Sequence, residues 1–310
     1  MAEHVLDDAV TVHRWNNAYV PRLTIRSGDR VTLHMPDSSG LQVQRDWTAT
    51  TFQERFDALK VHALIGPIAV ADAAPGDRLE IKIERYQHAG WAWTALIPGL
   101  GLLAEDFPDP HLFLWKLEGD QTRSMPGVTL DLHPFCGIIG VQRAEPGEFR
   151  TRAPGLFGGN LDVRHLTAGS TLLLPVLFPG AGLCAGDAHA AQGDGEVCIN
   201  GMEAPMTVTM QINLVKNAPL DGPVAITGGE LTPARYRTKP WIIFIESDEN
   251  PREACKRVVR RAIKFLTQRL GLTPPLAYTL CSVVLDLKIS QLVNHPLTTV
   301  SGYLPEAIFD

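Results

Sequence analysis

The chain has 310 residues, of which 45% are hydrophobic and 20% charged, a composition typical of a globular protein with a sizeable core. The formal net charge of −6 argues against a nucleic-acid surface, because such surfaces are basic. No apolar run reaches the roughly 18 residues that a membrane span needs. Neither a nucleic acid nor a membrane is therefore expected as a partner.

The cysteines and the N-terminal segment indicate the compartment. The five cysteines include no C-x-x-C pair, which predicts neither a disulfide framework nor a thiolate zinc site. Residues 1–8 are acidic and lack the basic flank and apolar run of a signal peptide. A cytoplasmic location is the expectation.

Most predicted elements are short strands. Glycine (27 residues) and proline (23 residues) are spread along the chain, which is typical of strands separated by turns. The run 241–245 is apolar throughout, which predicts a strand buried on both faces. The predicted strands cover residues 11–13, 23–25, 31–34, 61–70, 78–84, 163–166, 171–176, 207–215, 241–245 and 288–293.

The stretch from Trp91 to Trp115 is rich in aromatic residues, glycine and proline. It predicts a long ordered loop packed on the body of the protein. Such a loop either forms the apolar wall of a pocket or belongs to the core or a subunit interface.

The helical period appears only near the C-terminus. Asn250, Pro251 and Glu253 form a helix start, apolar residues follow at fourfold spacing, and Gly271 ends the helix. A second helix is predicted from Thr273 to about residue 285. The predicted fold class is mainly β, sandwich-like or barrel-like (α+β), with this C-terminal helical hairpin. We interpret residues 1–310 as one unit, with two packed sub-domains (about 1–150 and 151–310) as the alternative.

The stretch Cys184–Pro205 concentrates the polar chemistry: Asp187, His189, Gln192, Asp194 and Glu196 lie close together in a glycine-containing segment. On an extended backbone the pairs 187/189 and 194/196 each point to one side. Carboxylates with an imidazole suit zinc or a harder divalent ion that activates water. Glu196 is alternatively a general base with a pKa raised by burial. The alternative is that this stretch is a polar surface turn without a chemical role, since glycine and aspartate are common turn residues.

Other candidates lie upstream. Asn160 and Asp162 follow two glycines and precede an apolar strand, which would hold both side chains at one sheet end, although both are also common turn residues. His62 precedes an apolar strand, a position more typical of a hydrogen-bonded core residue than of a ligand. Cys136 lies in an apolar segment that raises a thiol pKa, so a nucleophilic role is disfavoured. No glycine-rich phosphate loop and no G-x-S-x-G elbow is present.

Four segments together resemble the acetamidase/formamidase family. They are G-D-A-H-A-A-Q-G-D-G-E-V at 186–197, G-G-N-L-D at 158–162 with L-x-L-P-V after it, H-A-L-I-G-P-I at 62–68 with A-x-P-G-D after it, and H-P-F-C-G-I-I-G-V at 133–141. Their order and spacing match from about Asp37 to the tail at 288–305. The chain departs from the family at Leu161, where Met is expected, and after Asp37, where S-S-G-L-Q replaces a tighter polar G-Q.

The resemblance implies a mostly β, homo-oligomeric, metal-associated enzyme that hydrolyses small linear amides to carboxylate and ammonia. Similar proteins open γ-lactams, so a cyclic-amide hydrolase is one alternative, and a non-catalytic amide-binding protein is another. The divalent ion is expected to be zinc, with calcium as the alternative. The implied residues are Glu196, His189 and Gln192 for catalysis, Asn160, Asp37 and His62 for substrate, and Asp162, Asp187, His189 and Asp194 for the metal.

Overall fold

A computed structural model describes residues 1–310. Strands dominate it. They are β1 (Glu3–Leu6), β2 (Arg14–Trp15), β3 (Leu23–Ile25), β4 (Arg30–Met35), β5 (Leu64–Val70), β6 (Arg78–His88), β7 (Trp91–Leu96), β8 (His111–Lys116), β9 (Gln121–Thr122), β10 (Leu130–Asp131), β11 (Phe135–Gly140), β12 (Phe149–Arg150), β13 (Gly158–Asn160), β14 (Thr171–Pro175), β15 (Leu183–His189), β16 (Met206–Val215), β17 (Val224–Ile226), β18 (Trp241–Asp248), β19 (Asp286–Gln291) and β20 (Thr298–Pro305).

Helices are few. The α-helices are α1 (Ala49–Arg55), α2 (Pro251–Leu270) and α3 (Pro274–Val284), and short 3-10 helices span Ala58–Lys60, Ala234–Arg237 and Glu306–Ile308. None of the three α-helices combines the length and the apolar character that crossing a bilayer requires. The expected class, mainly β with a C-terminal helical hairpin, is confirmed.

Two large sheets form the body. One has six strands in the order β1-β4-β16-β6-β14-β17, and the other has five in the order β13-β11-β15-β5-β3. In β6 the predicted alternation is confirmed, with Leu79, Ile81 and Ile83 fully buried between partly exposed polar residues. In β11 and β15 every residue is buried, as expected for a sheet covered on both faces.

A single core unites the two sheets. A cluster of 68 buried apolar residues draws on strands from both, for example Val31 and Leu33 of β4 and Ile65 and Ile68 of β5. Each sheet contains strands from before and after residue 150, so a boundary near residue 150 does not divide the chain into one sheet and the other. Both sheets have free edges, which makes the body sandwich-like rather than closed.

The C-terminal hairpin packs on the three-stranded sheet β18-β20-β19. The side chain of Asn250 accepts a hydrogen bond from the backbone N–H of Arg252 at 2.9 Å, which satisfies one free donor at the start of α2. Gly271 ends α2 with a φ of 68°, a left-handed conformation that glycine adopts without cost. The helix boundaries follow the predicted capping residues.

Four predicted elements differ. Residues 91–116 form the antiparallel hairpin β7–β8 around a loop, in which Trp93 and Trp115 are buried. Residues 163–166 form a turn, and residues 11–13 make only an isolated bridge, from Val12 to Leu64. In β18 only one face is buried, since Ile243 and Ile245 lie on the face that no element of this chain covers.

Candidate active site

One cavity of about 170 Å³ collects most of the predicted polar residues. It lies where β7, β13, β15 and several loops approach one another. The apolar residues of its lining are Phe56, Val61, Trp93, Ile97, Leu100 and Ile199, and the polar residues are Ser38, His62, Arg152, Asn160, Asp162, Asp187, Glu196, Asn200 and Glu203.

His189, the last residue of β15, lies at the centre of the acidic cluster and is 1% exposed. Its Nδ1 is 2.7 Å from the side-chain oxygen of Gln192, which can only accept, so the proton is on Nδ1. Its Nε2 faces three carboxylates, at 3.0 Å from Glu203 Oε1, 3.5 Å from Asp187 Oδ1 and 4.0 Å from Glu196 Oε1. This nitrogen is therefore directed at the centre of the cluster.

Gln192 lies behind His189 rather than in the cavity lining. Its Nε2 donates to the backbone oxygen of Asp162 at 3.2 Å, which sets the orientation of the amide group. The residue predicted to be catalytic thus acts in the structure as a link between His189 and the segment that carries Asp162.

Three of the carboxylates are on left-handed backbone. The φ angles of Asp162, Asp187 and Glu196 are 47°, 55° and 43°. Such residues are uncommon outside glycine, and their strain tends to concentrate at functional sites. The local conformation turns these side chains out of the regular strand direction, and Asp187 of β15 and Asp162, which follows β13, approach the same point across β11, the strand between β13 and β15.

Gly137 makes this approach possible. It is a residue of β11, and it lies opposite Asp187 of the paired strand β15. A Cβ at position 137 would lie 2.6 Å from Asp162 Oδ1 and 2.9 Å from the backbone oxygen of Asp187, closer than non-bonded atoms come. The glycine of H-P-F-C-G is therefore required because a side chain at this position would collide with Asp162 and Asp187. Cys136 beside it is fully buried, and burial raises the pKa of its thiol to about 12.

Glu203 is the carboxylate of this cluster that sequence reasoning missed. It is 2% exposed, and its backbone forms isolated β-bridges with Trp93 and with His189. Its side-chain Oε1 accepts a hydrogen bond from the N–H of Gly201 at 3.1 Å. Its other oxygen, Oε2, has no hydrogen-bond partner. A signal was present, since a charged residue between Met202 and Ala204 must find a partner when it is buried.

The donor atoms fit a cation. Two groups bring three ligand atoms within 4.8 Å of one another: Asp162, His189 and Glu196, and Asp187, His189 and Glu203. His189 Nε2, Asp162 Oδ1 and Glu203 Oε2 are buried without a hydrogen-bond partner. Buried polar atoms without partners are costly, and one imidazole nitrogen with carboxylate oxygens is a donor set that zinc accepts.

Burial dominates the ionisation of three carboxyl groups. It raises the pKa of Asp162 to about 7, with the charge of Asp187 adding to the effect, and it raises the pKa of Glu203 to about 7 against the opposing effect of His189. Burial and then the charge of Asp162 raise the pKa of Glu196 well above its usual value. Protons or a cation are needed to hold so many acidic groups together.

For the remaining pair, neighbouring charges outweigh burial. Burial opposes ionisation of Asp187, but His62 and His189 together hold the pKa of this carboxyl below its usual value. Burial likewise disfavours a charged His189, yet Glu203 and Asp187 raise the pKa of the imidazole well above its usual value. Positive charge is thus strongly favoured beside Asp187.

Asp194, a predicted metal ligand, is not brought to this cluster. Its Oδ1 lies 3.3 Å from Arg164 Nε, and its N–H donates to Asp286 at 3.1 Å. The chain turns at Asp194 and Gly195 instead of continuing as a strand, so the alternation expected for 194 and 196 does not hold. Glu203 occupies the place in the cluster that the sequence assigned to Asp194.

Asp37 also lies outside the cavity lining. It is fully buried, and its Oδ1 accepts hydrogen bonds from the N–H of Ser39 at 2.7 Å and from the Ser39 hydroxyl. Burial raises its pKa to about 6. This turn presents the next residue, Ser38, to the cavity, so Asp37 supports the wall and does not face the substrate space.

His62 and Asn160 do line the cavity, as the resemblance implied. His62 Nε2 lies 3.7 Å from Asp187 Oδ2, and its Nδ1 is 3.2 Å from the hydroxyl of Thr151. Asn160 donates through Nδ2 to the backbone oxygen of Arg152 at 3.3 Å, while its buried Oδ1 has no partner. That oxygen is an acceptor available to a bound N–H group.

Comparison with known proteins finds relatives that cover almost the whole chain. The sequence model of the acetamidase/formamidase family matches residues 2–146 and 142–310. The chain is 24% identical to the formamidase of Methylophilus methylotrophus, over 96% of this chain and 89% of that protein. It is similar to the crystal structure of an acetamidase from Bacillus halodurans (TM-score 0.68, 32% identity, 97% and 96% covered) and, in fold, to a γ-lactamase from Delftia acidovorans (TM-score 0.91, 24% identity, 99% and 93% covered).

Proposed function

The chain belongs to the acetamidase/formamidase family, and from this premise we propose that it is an amidohydrolase that cleaves small linear amides to carboxylate and ammonia. The observation that carries the proposal is the cluster around His189, whose Nε2 faces carboxylates within 3.0 to 4.0 Å in a cavity large enough for a small amide. Both the amide-sized space and the groups for proton transfer are present in one place.

A divalent ion is part of the proposal. His189 would hold it together with Asp162 and Glu196, or together with Asp187 and Glu203. Such an ion polarises an amide carbonyl and lowers the pKa of bound water. Zinc is favoured over calcium, because calcium takes oxygen ligands whereas His189 offers nitrogen. The Gln192 hydrogen bond supports this assignment, since metal-binding histidines usually donate their other N–H to a fixed acceptor.

Glu196 is the residue to which we assign proton transfer. Its side chain is 21% exposed, compared with 4% for Asp187 and 2% for Glu203, so it is the carboxylate of the three that water reaches most readily. It takes a proton from the attacking water and passes it to the departing nitrogen, which leaves as ammonia. Water supplies the oxygen of the carboxylate product.

Asn160 is suited to orient the substrate. Its free Oδ1 accepts a hydrogen bond from the N–H₂ group of the amide, a donor that the corresponding acid lacks. Holding the amide by its nitrogen places the carbonyl carbon at a fixed distance from the acidic cluster. Such orientation contributes to the rate by lowering the entropic cost of reaching the transition state.

Ammonia release from formamide, acetamide, longer linear amides and a γ-lactam, before and after chelation and with zinc restored, tests the proposal. We expect activity on linear amides that falls on chelation and returns with zinc. The variant Glu196→Gln should lose at least about 100-fold in kcat, whereas Glu249→Gln, on the exposed surface, should not. Binding of amides without ammonia release would show a non-catalytic protein, and full activity in Glu196→Gln would refute the role of that residue.

We further propose that the protein is a cytoplasmic homo-oligomer. All five cysteines are free, as is usual in a reducing compartment. Ile243 and Ile245 are exposed side by side on the outer face of β18, at 44% and 54%, and adjacent exposed apolar residues favour association. Light scattering on the purified protein measures the number of subunits, and a monomer would contradict the second part of this proposal.

A further inference from the structure

The wall of the active-site cavity carries more hydrocarbon than the smallest amides can use. Formamide has no carbon beyond its carbonyl, so it would leave this surface without a contact. Six apolar side chains from separate segments share the cavity with the acidic cluster, namely Phe56, Val61, Trp93, Ile97, Leu100 and Ile199. A substrate with an apolar acyl group would cover them.

Ile199 is the unusual member of this wall. Its φ is 88°, a conformation that β-branched residues almost never adopt because Cβ meets the backbone. Glycine would occupy the position without strain. The side chain is nevertheless present, and it is 38% exposed at the cavity instead of buried in the core.

The surrounding structure holds Ile199 in this conformation. Its own N–H donates to the backbone oxygen of Glu196 at 3.0 Å. On either side, Cys198 N–H donates to the hydroxyl of Ser282 at 3.1 Å, and the same hydroxyl donates to the backbone oxygen of Asn200 at 2.7 Å. A strained residue persists only where its neighbours over-determine the conformation, and such strain usually has a functional use.

We propose that Ile199 is a specificity-determining residue that contacts the acyl group of the substrate, and that the substrates are linear amides with an apolar acyl chain of several carbons. The inference rests on the proposed function. The turn that carries Glu196 also carries Ile199 three residues later, so the group that transfers the proton and the group that contacts the hydrocarbon are fixed relative to each other. Substrate length is thereby read at a set distance from the reacting carbonyl.

The experiment compares kcat/KM for formamide, acetamide, propionamide and butyramide in the wild type, Ile199→Gly, Ile199→Ala and Ile199→Val. In the wild type kcat/KM should rise about fourfold with each methylene, as expected for burial of a CH₂ group. In Ile199→Gly and Ile199→Ala the butyramide-to-formamide ratio should fall about tenfold, mainly through KM. Ile199→Val, which keeps the branched side chain, should retain most of the ratio.

Leu41→Gly is the matched control, because Leu41 has a φ of 62° and is 39% exposed but lies outside the cavity. It should leave the ratio unchanged. The melting temperature of Ile199→Gly should not fall, whereas a residue kept for packing would lower it when removed. A ratio that is unaffected in Ile199→Gly, or a wild type that prefers formamide, overturns the inference while the proposed function stands. Absence of ammonia from every amide overturns both.

Discussion

His189 and Gln192, three residues apart in the chain, are joined by a hydrogen bond of 2.7 Å between Nδ1 and the amide oxygen. This one contact decides which imidazole nitrogen carries the proton and which faces the carboxylates. Since Gln192 also bonds the backbone of Asp162, at 3.2 Å, the orientation of the imidazole and the position of a carboxylate depend on one side chain.

Replacing Gln192 with Leu should therefore weaken metal binding and catalysis without abolishing either. Loss of the acceptor frees the His189 ring to change tautomer, and we expect zinc affinity and kcat/KM to fall roughly 10- to 100-fold, the usual effect of removing a partner of a metal-binding histidine. Zinc titration by competition with a chelator and ammonia-release kinetics measure the two quantities. Gln192→Glu retains an acceptor for Nδ1–H and should lose less. Equal values for the Leu variant and the wild type would show that the hydrogen bond is incidental.

A methyl group at position 137 should disrupt the cluster directly. In Gly137→Ala the new Cβ would lie 2.6 Å from Asp162 Oδ1 and 2.9 Å from the backbone oxygen of Asp187. Either β11 and β15 must separate or the carboxylate of Asp162 must move. We expect loss of more than about 100-fold in activity and destabilisation of about 1–3 kcal/mol from overpacking. Gly222→Ala, where the nearest atom is 3.7 Å away, is the control and should be close to wild type in both respects. Normal activity in Gly137→Ala would mean that the acidic cluster tolerates displacement.

Much of the site could be predicted because its residues lie in short runs. Asp187 and His189 are two positions apart, and residue types, glycine context and resemblance all point to them. Glu203 could not be predicted in the same way. It reaches His189 through a bridge formed across a bend in the chain, and no sequence spacing encodes that pairing. Alternation failed for Asp194 because it assumes a strand, and the chain turns there.

In the fold, too, elements defined by local sequence were predicted and elements defined by long-range pairing were not. The helix from Pro251 to Leu270 begins and ends at its capping residues, since capping is local chemistry. The hairpin β7–β8 was not predicted, because its strands are irregular in sequence and are defined by pairing, with Trp91 opposite Lys116. Local signals predicted the local elements, whereas pairing between distant segments required the structure.

Arg164 should prove important for stability although no motif contains it. Its side chain is 8% exposed, and the guanidinium bonds Asp286, whose side chain is 2% exposed, at 2.9 Å and reaches the backbone oxygen of Gln192 at 3.3 Å. Arg164→Met leaves the buried carboxylate of Asp286 without its cation, and breaking a buried ion pair in this way typically costs about 3–5 kcal/mol of unfolding free energy. Urea denaturation measures the loss.

The double variant tests the cause. Arg164→Met with Asp286→Asn removes the unpaired charge, so it should recover a large part of the stability lost by Arg164→Met alone. Urea denaturation of both variants at one pH gives the comparison. If the double variant is as unstable as the single one, the cost arises from lost packing of the Arg164 side chain and not from the charge of Asp286.

Asp37 should make stability depend on pH in a direction opposite to that of a salt-bridged carboxylate. Burial raises its pKa in the folded protein to about 6, above the value of about 3.9 in an unfolded chain. The folded state therefore binds the proton more tightly, so the contribution of Asp37 to stability is fully present below about pH 4 and is lost as the pH rises through about 6. The shift corresponds to about 3 kcal/mol. Asn at this position cannot ionise, so the unfolding free energy of Asp37→Asn minus that of the wild type should increase between pH 4 and pH 7. Urea denaturation of both proteins across this range measures the difference, and parallel curves would show that the pKa of Asp37 is the same in the folded and the unfolded protein.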